Sequence, residues 1–264
     1  PVFIFLFGLD VYGAAIATVL GQFVSMFLAL YFVRKNKYVT IHIRQIRPSG
    51  RIIKEIYTVG APSIIMQSVS TVMVSALNSI LIAFSTTAVS VLGVYFKLQS
   101  FVFMPVFGLQ NGMIPIIAYN YGARKRERMM GTLRFGGSIA VLIMLCGLLL
   151  FQLAPGLLLS FFAAGETMME IGRPALRIIS LCFVPAAISI SLTSVFQATG
   201  VGYASMIVSI VRQIVILLPA AAIIASFGVL SSVWFAFTIA EVAGLTLSIL
   251  FFINVYKRKI RPIA

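Results

Sequence analysis

Acid is the scarcest chemistry in this chain. Six Asp and Glu stand against twenty Lys and Arg in 264 residues, and charged residues of both signs make up 10%. A soluble domain carries about 25%. So little polar surface cannot coat a water-soluble globule, which excludes a soluble protein with a large core. Histidine occurs once and cysteine twice, at no spacing that fits a zinc site. His42 sits in a basic stretch as a solvated residue. Cys146 and Cys182 fall inside apolar segments, where small polarizable side chains serve packing. Neither a disulfide nor a metal site is expected. No HExxH or GxSxG occurs, and no helix carries a carboxylate pair at catalytic spacing, so an enzyme is not expected. No cofactor is expected either.

Apolar residues fill the rest: 61% of the chain is hydrophobic, with a mean hydropathy of +1.08. Crossing the hydrocarbon core takes ~20 apolar residues in a helix. Seven segments meet that length: Tyr12 to Val33, Ile56 to Phe84, Thr87 to Tyr119, Thr132 to Phe162, Ala175 to Ala198, Tyr203 to Ser226, and Val229 to Tyr256. Val2 to Leu9 is apolar but too short to span alone. The runs do not alternate in polarity, which excludes a β-barrel. The expected fold class is an all-α integral membrane protein, a polytopic helical bundle of about seven transmembrane helices.

Basic residues cluster at Arg34 to Lys54, Arg124 to Arg134, and Lys257 to Arg261. An even number of spans separates each cluster from the next, so all three fall on one side. The linkers of the other face, at Phe84, Ala163 and Ser226, carry Glu166, Glu170 and Arg173. Lys and Arg mark the cytoplasmic side, so the basic loops and the C-terminus are expected there, in a multi-pass protein of the cell membrane. The net charge of +14 is then a signal of topology and of attraction to a lipid bilayer. Nucleic acid is not an expected partner, because the charges flank spans and form no soluble basic face. Gly122, ahead of the run Arg124 to Arg128, is the expected C-cap of its helix. Pro1 opens the chain inside an apolar segment with no basic leader, as expected where an upstream part is missing.

Polar residues inside lipid are expensive and face protein or water. Gln67, Thr71, Ser75 and Asn78 recur at helical spacing. So do Ser189, Thr193 and Gln197, and again Ser205, Ser209 and Arg212. Such stripes serve either as hydrogen-bonding contacts between helices or as cavity lining. Lys97, Arg212 and Glu241 each lie ten or so residues into a span, near mid-membrane at ~1.5 Å per residue. Arg212 and Glu241 fall on consecutive spans at matching depth and are expected to pair. Tyr95, Phe96, Phe101 and Phe103 offer faces to a flat cation. The candidate substrate or ion pathway residues are Gln67, Asn78, Lys97, Gln99, Arg212 and Glu241. Pro62, Pro105, Pro115, Pro185 and Pro219 can kink their helices.

Domain organisation follows from the long polar stretch. Residues 1–33 form one end piece, 34–55 a basic connector with seven Lys or Arg, 56–256 a six-span bundle and 257–264 a basic tail. "FGLDVYGAAIATVLGQ" before the connector is echoed by "FGVLSSVWFAFTIAE" near the end, an internal repeat of the kind from which transporters are built.

Four stretches resemble one family. "YGAAIATVLGQ" at Tyr12 is similar to the sixth helix of MATE (multidrug and toxic compound extrusion) transporters. "VGAPSIIMQ" at Val59 resembles the start of their seventh helix. "GLQNGMIPIIAYNYGARKRER" at Gly108 resembles the end of the eighth with its cytoplasmic loop, and "FQATG" at Phe196 the end of the tenth. The resemblance covers essentially the whole chain. It implies a fragment of a two-lobe, twelve-helix transporter: the tail of the fifth helix, the sixth, the connector and the complete C-terminal lobe. It further implies a secondary active antiporter that expels small cationic or amphipathic compounds by alternating access, driven by sodium or proton entry, with the missing N-terminal lobe as partner. Some members carry an acidic cation ligand in the seventh helix; here that position is near Ser70 and the helix has no acid. Coupling is then expected to rest on Glu241 or on an acid of the missing lobe. A flippase for a lipid-linked saccharide of the same broad superfamily, or a transport-inactive truncated membrane protein, are the alternatives.

Overall fold

The computed structural model describes residues 3, 8, 10–35, 49–162 and 164–263. Among them every regular element is helical. The helices are α1 (Asp10–Lys35), α2 (Gly50–Ile82), α3 (Thr86–Gly122), α4 (Arg126–Leu153), α5 (Pro155–Ser160), α6 (Glu166–Ser180), α7 (Phe183–Ala198), α8 (Gly202–Ile210), α9 (Leu218–Ser226), α10 (Leu230–Val233) and α11 (Phe235–Val255). A π-helical segment, Val211–Leu217, joins α8 to α9, and a second one, Tyr256–Ile260, continues α11. Among the described residues six stretches are long and apolar enough to cross a membrane, and the pair α6 and α7, bent by 45°, makes a seventh if it is one span.

The expected span limits need correction in four places, each with a local cause. α2 begins at Gly50, inside the expected connector. His42 and residues 36–48 lie outside the described residues. The fourth span ends at Leu153, because Ala154 precedes Pro155 and is held out of the helical region at φ −129° and ψ 43°. Glu166 to Arg173, expected as linker, is already helix: Glu166 sits in the first turn of α6, where a carboxylate favours the positive end of the helix dipole. Gly122 does not cap its helix. α3 runs through it, and the left-handed conformation falls on Arg124 at φ 56°. At the end of α7, by contrast, Gly200 takes that role at φ 71°, which only glycine adopts at no steric cost.

The chain divides into two compact units, residues 1–54 and 55–264. In the first, α1 is exposed along nearly its whole length. An apolar surface on all sides suits a helix surrounded by hydrocarbon or by other helices. The second unit holds two cores. The larger packs Leu92, Tyr95, Phe151, Phe183 and Trp234 between α3, α4, α6, α7 and α11. The smaller gathers Met113, Met129, Phe196 and Val255 near the basic end. There, Arg126 hydrogen-bonds the Tyr256 hydroxyl and stacks over its ring, and Lys259 Nζ donates to the Thr199 carbonyl at 3.1 Å. The α3–α4 loop, the α7–α8 turn and the tail therefore share one end of the bundle.

Small residues set how closely the helices approach. Ser85 starts α3, its side chain accepting from the Ala88 N–H at 3.0 Å. Along the α3–α4 contact, a Cβ at Gly147 would lie 2.4 Å from Val102 Cγ1. Valine is stiff at χ1 and cannot yield as a methionine would. Gly147→Ala should therefore cost ~1–3 kcal/mol by overpacking, lowering the thermal midpoint of the detergent-solubilised protein, and Val102→Ala in the same chain should recover part of the loss.

Candidate functional site

Arg212 and Glu241 are the centre of the second unit. Arg212 is the second residue of the π-helical segment, which replaces the regular register of the helix that α8 and α9 would otherwise form. Pro219, just after it, has no N–H to return to the preceding turn. The register change has a local cause, and π segments often mark functional sites. Glu241 lies on α11. Arg212 Nη1 donates to both carboxylate oxygens, at 2.9 and 3.1 Å, with side-chain exposures of 24% for Arg212 and 15% for Glu241. Gly244, nearly one turn beyond Glu241, lets the arginine stem pass: a Cβ there would lie 2.9 Å from Arg212 Cδ. The expected pair thus forms, and it relieves each charge of the ~2.5 kcal/mol or more that isolation in hydrocarbon costs.

Two cavities adjoin this pair and share Arg212, Phe107 and Ile190 as walls. The larger, about 580 Å³, is the richer in amides and hydroxyls, with Gln67, Gln110, Thr193, Gln197, Ser205 and Ser209 set among apolar side chains. The smaller, about 330 Å³, is lined by Met73, Phe96, Phe103, Met104 and Phe237, with Gln99, Gln213, Arg212 and Glu241 among its polar members. Hydrogen bonds hold the walls in place. Gln110 Nε2 donates to Thr193 Oγ1 at 3.0 Å, Gln213 Nε2 to Ser209 Oγ at 2.7 Å, and the Ser189 and Ser248 hydroxyls meet at 2.9 Å.

Four of the six candidate residues meet here: Gln67 at the polar cavity, Gln99 and Glu241 at the aromatic one, and Arg212 at both. Asn78 is half-buried and Lys97 exposed, and neither lines these cavities. Lys97 stands two residues before Gln99, which places it on the far side of α3. The aromatic group splits in the same way. Phe96 and Phe103 face the smaller cavity, Tyr95 is buried against Phe237, and Phe101 is exposed. Gln110 was not among the candidates. An amide in the middle of a span, between Pro105 and Pro115, is the signal that marks it. Gly244 carries no such signal, because only the partner helix shows what its missing side chain makes room for.

Comparison with known proteins supplies independent findings. Residues 62–223 match the model of the MatE family. Multidrug export protein MepA of Staphylococcus saprophyticus is 29% identical over 235 residues, covering 88% of this chain and 52% of that protein. The chain spans about half the length of the curated relatives it matches. Two solved structures superpose with a TM-score of 0.86. One is a MOP superfamily transporter from Pyrococcus furiosus, for which a reversed polarity of the binding pocket suggests a different function; it is 27% identical, with 98% of this chain and 60% of that one covered. The other is the outward-facing conformation of a multidrug resistance MATE family transporter, 26% identical, with 100% and 59% covered.

The pairing generates a direct test. Arg212→Glu or Glu241→Arg alone places two like charges together inside the bundle, and each should abolish recovery of monodisperse protein in size-exclusion chromatography. Breaking a buried pair costs ~3–5 kcal/mol. The double exchange, Arg212→Glu with Glu241→Arg, should restore recovery; continued loss in the double variant would disprove the pairing.

Proposed function

Because the chain belongs to the MatE family, a family of multi-pass membrane transporters, we propose that it forms part of a secondary multidrug exporter that works by alternating access. In this reading residues 1–33 end the N-terminal lobe, 34–55 connect the lobes across the cytoplasmic side, and 56–256 are the C-terminal lobe. The basic tail, 257–264, is cytoplasmic and the membrane is the cell membrane. The observation that carries the proposal is the aromatic cavity with an acid in its wall. Phe96, Phe103, Met73 and Met104 offer soft apolar contact, and Glu241 offers a negative charge to an amphipathic cation. Sulfur and aromatic surfaces accommodate ligands of varied shape.

Glu241 is also the group on which ion coupling rests in this proposal. A proton or sodium ion on its carboxylate competes with Arg212 and with a cationic substrate. Occupancy by one therefore excludes another, which is the logic of antiport. The second reading, a saccharide-lipid flippase, calls for a basic cavity. Among the described residues Arg212 is the one Lys or Arg on either wall, and Lys97 lies outside both cavities, so no basic cavity forms and the exporter is favoured.

The test uses the complete gene, with vesicles loaded with a fluorescent cationic dye and a sodium or a proton gradient imposed in turn. Dye movement coupled to one gradient is the expected result and names the ion. Glu241→Gln should then slow coupled movement on the order of tenfold. Absence of movement with either gradient, in protein shown to be folded, overturns the proposal.

A further inference from the structure

The polar cavity has a chemistry that a cation does not use. No carboxylate among the described residues lines it. Ser205 and Ser209 stand one turn apart on α8 and Arg212 follows at the next, so the three share a face. The Ser205 hydroxyl is unsatisfied: the residue is 2% exposed and its Oγ has no hydrogen-bond partner. A buried unpaired hydroxyl is destabilising unless something else meets it. The Ser209 hydroxyl accepts from Gln213, which leaves its proton free to be donated. Arg212 spends only Nη1 on Glu241, and a guanidinium has five N–H donors. Its Nη2 and Nε make no hydrogen bond among the described residues. Donors with nothing to accept them, around a cavity of about 580 Å³, describe a site for an oxyanion.

Charge balance decides what can carry that oxyanion. Arg212 and Glu241 cancel. A lone anion beside them leaves a net negative charge in a low-dielectric site, and a lone cation on Glu241 leaves Arg212 uncompensated. A molecule bearing both charges leaves neither. We propose that the polar cavity is a subsite for the carboxylate or phosphate end of a dipolar, amphipathic solute whose cationic end meets Glu241 from the aromatic cavity. The solute then replaces the internal ion pair with two intermolecular ones. The combined volume of the two adjoining cavities lies in the range of sites for drug-sized molecules. This subsite rests on the exporter reading and assigns the anionic end of the solute to Ser205, Ser209 and Arg212.

Two dyes that differ at one group test it: a rhodamine with a free benzoate, dipolar at neutral pH, and the methyl ester of the same dye, which is only cationic. Binding to the full-length protein in phosphatidylcholine nanodiscs is followed by fluorescence anisotropy. The wild type should bind the acid more tightly than the ester, on the order of tenfold. Ser205→Ala should shrink that ratio about threefold, and Arg212→Gln with Glu241→Gln, which removes both charges and orphans neither, should abolish it. Adding phosphatidylglycerol distinguishes the source of the oxyanion. If a lipid headgroup occupies the subsite, acid binding weakens; if the solute does, binding is unaltered. Equal binding of acid and ester by the wild type overturns the subsite while leaving the exporter standing, as does a ratio that neither substitution changes. Failure of folded protein to bind either dye overturns both.

Discussion

A charge that enters hydrocarbon must bring its partner, and the second unit is organised around that constraint. Arg212 reaches Glu241 because three unrelated features of the chain agree. The π-helical segment sets the azimuth of Arg212 on its helix. Gly244 leaves α11 thin where the arginine stem crosses. The contact between the Ser189 and Ser248 hydroxyls ties α7 to α11. The two cavities are what remains beside the pair when bulky side chains are kept off it. Arg212 belongs to the walls of both cavities and Glu241 to one: around the first the neighbours are mainly hydroxyls and amides, around the second aromatic rings and thioethers join them.

Much of this was legible in the residues. Run length alone placed the spans, because nothing shorter than ~20 apolar residues crosses a bilayer, and two of the basic clusters, Arg124 to Arg134 and Lys257 to Arg261, meet at one end of the second unit. Depth along the helix was enough to match Arg212 with Glu241, since a rise per residue converts position into height. Direction around the helix was harder. Lys97 and Gln99 have nearly the same depth, yet one is exposed and the other lines a cavity, and long apolar runs lack the amphipathic contrast that would separate the faces. Asn78, half-buried, lines neither cavity, and its spacing with Gln67 did not reveal that difference.

What the residues concealed were events of backbone register. The break at Ala154 can be traced to Pro155, and the π segment is followed by Pro219, but a proline in a membrane helix does not announce whether it bends, breaks or rewinds the chain. The early start of α6 was hidden by its polarity, because a membrane-based expectation treats Glu166, Glu170 and Arg173 as loop. The helix end after Tyr121 misled through Gly122, the residue that ordinarily takes the left-handed position. Arg124 takes it instead, and the intervening residues close the turn with Lys125 N–H donating to the Asn120 carbonyl at 2.9 Å.

The ties between Arg126 and Tyr256 and between Lys259 and Thr199 give the second unit a mechanical asymmetry. They stitch three connections at the basic end, whereas two of the connections at the other end carry exposed aromatic rings, Phe161 and Phe227. A bundle sewn at one rim has its fulcrum there. Helices of ~25 residues are levers of about 37 Å, so a tilt of ~10° about the sewn rim displaces the free rim by roughly 6 Å. The basic end can stay closed as a heel while the far end spreads, and the Arg212–Glu241 pair, midway along the lever, feels only about half of that travel.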